Sequence, residues 1–130
     1  MRVFLSYSSS DAAFGDPLRR ALMSAGYQVW DPNLEVQPGT NFARAIGEAL
    51  DGADALVVLV SPEAMQSDWI RWELDLAMTN PRFKGRLIPV ELRPTDALPW
   101  ILRRFQVLKF SGESTNGDVI SALDRIRDAA

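Results

Sequence analysis

Histidine and cysteine are both absent from this 130-residue chain. Their absence removes Ser-His-Asp triads, Cys-His nucleophiles, haem-type His ligation and the usual zinc sites. It also removes disulfides, so a reducing compartment is acceptable and a cytoplasmic location is expected. No apolar run approaches the roughly 20 residues of a membrane span. The apolar stretch of the opening MRVFLSYSSSD is too short for a signal peptide. Basic residues are outnumbered 14 to 17 by acidic ones, for a net charge of −3. That balance lacks the clustered basic face of a nucleic-acid binder. Glycine-rich phosphate cradles are missing too: there is neither a G-x-G-x-x-G nor a P-loop. A conventional Rossmann oxidoreductase is therefore not expected. Any catalysis must use carboxylates, hydroxyls, Lys or Arg, backbone amides or a cofactor.

What is present is a folded, single-domain composition. Hydrophobic residues make up 47% and charged residues 24%, close to globular averages, which argues against disorder. The expected unit is one domain over 1–130, a candidate N-terminal domain of a longer protein whose sensor would follow Ala130.

Apolar periodicity alternates between strand-like and helix-like stretches. Val3, Phe4 and Leu5 form a short strand that ends in the polar cluster of residues 8–11. Asp16 and Pro17 read as N-cap and first position of a helix with Leu18, Ala21, Leu22 and Ala25 on one face, stopped by Gly26. Residues 27–30 form a second strand, and residues 31–40 a long polar loop. Thr40 or Asn41 caps a helix carrying Phe42, Ile46, Ala49 and Leu50, ended by Gly52. Residues 55–60 are apolar without alternation, as in a strand covered on both faces. Ser61, Pro62 and Glu63 begin a turn, and Ser67 caps a helix running to about Met78. Residues 86–90 form a fourth strand, in which Pro89 lacks a ladder donor and predicts an edge or a local bulge. Residues 98–105 read as short helical or irregular, residues 106–110 as a fifth strand. Residues 116–128 close the chain as a helix with Val119, Ile120, Leu123 and Ile126 inward. The expected class is α/β: a three-layer open sandwich with a central five-stranded parallel sheet, flavodoxin-like in plan. Ligands in such sheets bind outside the carboxyl ends of the strands. The segments there are 6–11, 30–40 and 61–69.

Trp69 and Glu73 stand four apart, neighbours on one helix face. Ile70, Leu74 and Ala77 make the adjacent apolar line, so Glu73 lies beside the buried stripe rather than opposite it. A carboxylate next to a tryptophan near strand ends is a site candidate. A solvated Glu beside a half-buried Trp is the plainer alternative. Trp72, about 100° from Glu73, reads as core or interface.

Three stretches together resemble TIR (Toll/interleukin-1 receptor/resistance) domains. Val3-Phe4-Leu5-Ser6-Tyr7 through Asp11 is similar to the first family box. Trp30-Asp31 through Pro38-Gly39 is similar to the BB loop. Ser67 through Leu74 is similar to the third-helix motif, whose W-x-x-x-E carries the glutamate of NAD-cleaving members. The resemblance implies a TIR fold and a bacterial NAD-cleaving activity, with Glu73 as catalytic residue. It implies NAD⁺ as substrate rather than cofactor, with no metal. By the same resemblance Tyr7, Ser8, Asp31 and Trp69 border the substrate, Tyr7 stacking on the nicotinamide ring. Trp69 is a pocket wall or simply packs on the helix flank; Ser8-Ser9-Ser10 is a ligand turn or a helix cap. Many family members carry a basic residue where Ser8 stands, and its absence here weakens the argument for a phosphate clamp at that position. Pro38 and Gly39 are expected at a contact with a neighbouring TIR copy, packed head-to-tail. The Pro-Gly pair favours a tight turn with positive φ at the glycine. Partners are thus NAD⁺ and other TIR domains, not nucleic acid or membrane, and a bacterial defence role follows only by analogy.

One carboxylate suffices for this chemistry. O-glycoside hydrolysis ordinarily needs two, because the leaving alkoxide must be protonated. Nicotinamide leaves NAD⁺ neutral, and the difficulty is positive charge developing on the ribose. A single anionic Glu73 can stabilise that charge and hold the ribose hydroxyls. The product would be ADP-ribose or a cyclised relative. The rival from another class is a non-catalytic adaptor acting through TIR–TIR contacts, whose members commonly lack this Glu. A third option, a nucleoside deoxyribosyltransferase-like enzyme, predicts nucleoside substrates. Lys109 invites comparison with phosphorylated receiver domains, but those need paired acids where this chain has Ser6-Tyr7-Ser8. Arg82, Lys84, Arg103 and Arg104 read as solvated surface.

Overall fold

The apolar run Ala55–Val60 becomes the middle strand of the sheet, and each of its six residues is buried. A strand covered on both faces has no polar side to alternate. The computed structural model describes residues 1–37, 39, 41–96, 99, 102 and 105–129. In chain order they form β1 (Arg2–Ser6), a 3-10 turn (Ser9–Asp11), α1 (Ala12–Ser24), β2 (Gln28–Trp30), α2 (Pro32–Glu35) and α3 (Phe42–Gly52). Next come β3 (Ala55–Val60), α4 (Pro62–Gln66), α5 (Asp68–Thr79) and a second 3-10 turn (Pro81–Phe83). β4 (Leu87–Glu91), β5 (Leu108–Lys109) and α6 (Ser114–Ala129) complete them.

The sheet order is β2-β1-β3-β4-β5, and every pairing is parallel. The chain leaves β1 toward β2 on one side and returns to β3 on the other. The loops after β1 and β3 therefore diverge, which opens a crevice at their carboxyl ends. Period-two alternation divides the core into two layers. Phe4, Leu56, Val58 and Val60 pack with Ile46 and Leu50 of α3 and Ile70, Leu74 and Ala77 of α5. Val3, Leu5, Val57 and Leu59 pack with Leu18 and Leu22 of α1 and Val119 and Leu123 of α6.

Several local expectations need correction. The first helix starts at Ala12, preceded by Asp11, whose side chain makes no capping bond, and Pro17 lies inside it rather than at its first position. Pro17 cannot bond back to the Ala13 carbonyl, but both residues are on the exposed side, where water can serve the freed oxygen. The acid–proline start occurs instead at Asp31-Pro32: Asp31 accepts from the Asn33 N–H at 2.9 Å, and a helical turn interrupts the expected loop. Ser61-Pro62 likewise begins the short α4 rather than a simple turn, Ser61 accepting from the Ala64 N–H. Asn41 caps α3; Thr40, the other candidate, lies outside the described residues. Of 98–105 only Pro99, Leu102 and Phe105 are described; Arg103 and Arg104 are not. Arg82 is not simply solvated surface: its guanidinium donates to the carbonyls of Asp51 and Ala53.

Pro89 is neither on an edge nor in a bulge, for β4 lies between β3 and β5. Residues 86 and 92 turn their backbone groups to β3, while Glu91 accepts from Phe110 on the β5 side. By alternation Pro89 also faces β5. Pairing there begins only at Val90 with Leu108, so the missing N–H falls before the first bond.

Candidate active site

Ser67 starts α5 by accepting from the Ile70 N–H at 3.3 Å. The helix then buries Ile70, Leu74 and Ala77 against the sheet. Glu73 is carried inward with them and is only 2% exposed. Long side chains on a helix lean toward the preceding turn, here the turn of Trp69. Its carboxylate meets the end of β1, where Ser6 Oγ donates to Oε2 at 2.5 Å. Burial is the main cause that pushes this carboxyl up from its ordinary 4.5 to about 7. The Ser6 hydrogen bond works against that rise, and the negative charge of Asp31 adds to it. Among the described residues no cation is paired with Glu73. An acid in this condition lacks a positive partner, and a cationic group brought beside it draws off its proton.

Trp69 is 45% exposed. Its ring lies 4.3 Å from Phe42, the first residue of α3, and 5.8 Å from Trp72, edge-on. Trp72, expected in the core or an interface, is half-buried against the α3–α5 layer and belongs to this cluster. The cluster stands one turn from Glu73, and Trp69 packs on the helix flank while staying partly exposed.

Tyr7 is placed differently from the expectation. The next residue in a strand faces the other way, so Tyr7 follows Leu5 into the α1–α6 layer while Ser6 follows Phe4 toward α5. The Tyr7 ring is 5% exposed and lies so close to Gly15 that a Cβ there would sit 2.7 Å from it. A ring held this way offers no face for stacking. Its hydroxyl donates to Asp31 Oδ2 at 2.5 Å. Burial, then this bond to a carboxylate, raises the phenol well above its usual range. Asp31 is fully buried, caps α2 and lies 3.9 Å from Arg19 Nε. It thus organises the loop after β2; burial raises its carboxyl too. Asn33 Nδ2 donates to the Tyr7 carbonyl and closes the clamp. Ser8 does the work of a cap, accepting from the Ser10 N–H. Gly39 is exposed with φ +86°, as the turn predicted; Pro38 lies outside the described residues.

Sequence reasoning missed Ser6, although alternation along β1, which turns Ser6 to the same face as Phe4, was the signal for it. It also missed the group formed by Asp11, Ser61 and Arg93. Buried Asp11 accepts from Ser61 Oγ at 2.5 Å and Arg93 at 2.8 Å, and Arg93 also reaches Glu63 at 2.6 Å. These residues come from three separate segments, around Asp11, Ser61–Glu63 and Arg93, and no local pattern links the three. Among the described residues no group of three or more acids is poised for a metal, and no helix is long and apolar enough to cross a membrane.

A five-stranded parallel sheet covered by helices on both faces defines the class as an open three-layer α/β fold. The particular family follows: the model for the TIR domain matches residues 3–126, and the chain belongs to that family. It is 29% identical over 73 residues to the 2' cyclic ADP-D-ribose synthase BtTIR of Bacteroides thetaiotaomicron, an alignment covering 55% of this chain and 25% of that protein. It is 23% identical to a stimulator of interferon genes protein of Magallana gigas over 96% of this chain and 32% of that protein. The chain thus spans a quarter to a third of the length of these curated relatives. In fold it is similar to the TIR domain of the Toll-related receptor TRR-2 of Hydra magnipapillata, with TM-score 0.80, 22% identity, and 96% and 97% of the two chains covered.

Proposed function

We propose that this TIR domain cleaves NAD⁺ at the nicotinamide–ribose bond, with Glu73 as the catalytic residue. The observation that carries the reading is the buried Glu73 carboxylate, bonded to one neutral hydroxyl and to no cation among the described residues. The nicotinamide–ribose linkage is itself cationic, and positive charge moves onto the ribose as the bond breaks. The bonding pair leaves with nicotinamide, which departs neutral, so no general acid is needed. Glu73 becomes anionic beside the substrate charge and stabilises the ribosyl cation from its buried position. Water, or a hydroxyl of the same nucleotide, then adds to the anomeric carbon and loses a proton, giving ADP-ribose or its cyclic form. The name of the Bacteroides relative supports a nucleotide of this kind.

Trp69 supplies the open aromatic wall beside Glu73. Because Glu73 is 2% exposed, substrate entry requires movement. Phe42, whose ring lies against Trp69 at the start of α3, is the group to move. Head-to-tail contact with a second TIR copy through the loop at Gly39 would stabilise the moved form and close the site over the nucleotide. The test is incubation of the protein with NAD⁺ and mass analysis of the products, at low and high protein concentration. Nicotinamide and ADP-ribose, linear or cyclic, are expected in equal amounts, and Glu73→Gln should abolish both. Intact NAD⁺ at every concentration would overturn the reading, and cleavage of deoxynucleosides instead would replace it.

A further inference from the structure

Adjacent residues at the end of β1 each hold one acid, on opposite faces of the sheet. Tyr7 donates toward α1, to Asp31; Ser6 donates toward α5, to Glu73. The two acids differ in what else engages them. Asp31 also caps α2 and lies near Arg19. Among the described residues, Ser6 is the one hydrogen-bond donor to Glu73. We propose that Ser6 is a positioning residue, whose hydroxyl fixes Glu73 Oε2 and leaves Oε1 to face the ribose of the substrate. The proposal rests on the NAD⁺ reading of the same site.

The anchor is well chosen physically. Ser6 sits opposite Val58 in the β1–β3 ladder, so its backbone is held at the sheet's central pairing. Glu73 reaches it from 67 residues away on a side chain with several rotatable bonds. Without an anchor that carboxylate has several rotamers to sample, and a small misplacement of a reacting group is costly. A hydroxyl also suits both protonation states. It donates to the carboxylate and accepts from the carboxylic acid, so the contact survives titration. The Ser6 hydroxyl is committed to Glu73 Oε2, so it acts through that carboxylate. The charge that reaches Glu73 from elsewhere is that of Asp31, after β2.

The experiment uses the full chain and measures NAD⁺ turnover from about pH 5.5 to about pH 9. Ser6→Ala should lower kcat about ten- to hundredfold, with KM changed less than about twofold. The acid limb of its profile should move upward, because a hydrogen bond to the ionised form is lost. Ser6→Thr, which restores a hydroxyl, should recover the limb and most of kcat. A merely structural serine would change stability without moving the limb. Carboxyl-carbon NMR of Glu73, assigned with Glu73→Gln, reads the same effect without turnover: its titration should rise in Ser6→Ala. Ser6→Cys, close in size but a poor donor, serves if the alanine variant does not fold. Wild-type kcat with an unmoved limb in Ser6→Ala, or a loss confined to KM, overturns the proposal. If the wild type leaves NAD⁺ intact, the activity reading falls alone. The NMR titration then decides the Ser6 contact, and an unchanged value in Ser6→Ala overturns it.

Discussion

Replacing Glu73 by Gln should change how stability depends on pH, in a direction set by burial. The Glu73 carboxyl is raised in the folded protein from 4.5 to about 7. Well below pH 4.5 it is protonated in both states and carries no penalty. Between the two values the unfolded chain loses its proton first, so the folded state binds more protons and stability falls as pH rises. Above about 7 the carboxylate is ionised in both states, and the full penalty remains. At 1.36 kcal/mol per pH unit, that penalty is about 3 kcal/mol. Glutamine has no such titration. Its carbonyl still accepts from Ser6, but its buried amide gains donors without a partner, at a cost of about 1–3 kcal/mol. That cost is the same at every pH, so the decisive quantity is the change in the difference between the proteins. Urea unfolding at 25 °C, followed by tryptophan fluorescence, measures it. From about pH 4.5 to about pH 8.5, Glu73→Gln should gain about 3 kcal/mol on the wild type. Two curves that run parallel across this range would refute the reasoning, because a buried acid without a cation cannot titrate as though it were in water.

Three other outcomes follow from the same geometry. Gly15→Ala, which in an open helix adds stability, should here cost about 1–3 kcal/mol by driving a methyl into the Tyr7 ring; a stabilised variant in urea unfolding would refute that packing. Arg93→Ala should lower the unfolding midpoint by leaving buried Asp11 without its cation, and adding Asp11→Asn should undo part of that loss; simple additivity would show that the pair is uncoupled. Specific activity on NAD⁺ should rise with protein concentration as particle size grows, and Gly39→Pro, incompatible with φ +86°, should remove the rise while circular dichroism stays native; full activity in dilute monomers would refute the role given to assembly.

The sequence by itself determined the kind of chemistry open to this protein and the order of its elements. Lacking His and Cys, it leaves carboxylates, hydroxyls, Lys or Arg, backbone amides or a cofactor for any catalysis, and the four-residue spacing of Trp69 and Glu73 puts both on one helix face. The unalternating 55–60 run declared a strand covered on both sides. These are local signals, written in residue type and period. What tertiary structure decided are the contacts between segments distant in the chain. Alternation guarantees that Ser6 and Tyr7 face opposite ways, but only the packing of α5 over one face and α1 over the other decides which of them meets Glu73. Asp-Pro occurs at 16–17 and at 31–32, and the same dipeptide starts a helix only at the second. At the first, the chain is already helical from Ala12, and exposure on the solvent side tolerates the proline. Pro89 can occupy an interior strand because β5 begins to pair one residue later. The high affinity of Glu73 for its proton also has no trace in the sequence around it, because it arises from the neighbours that shut water out.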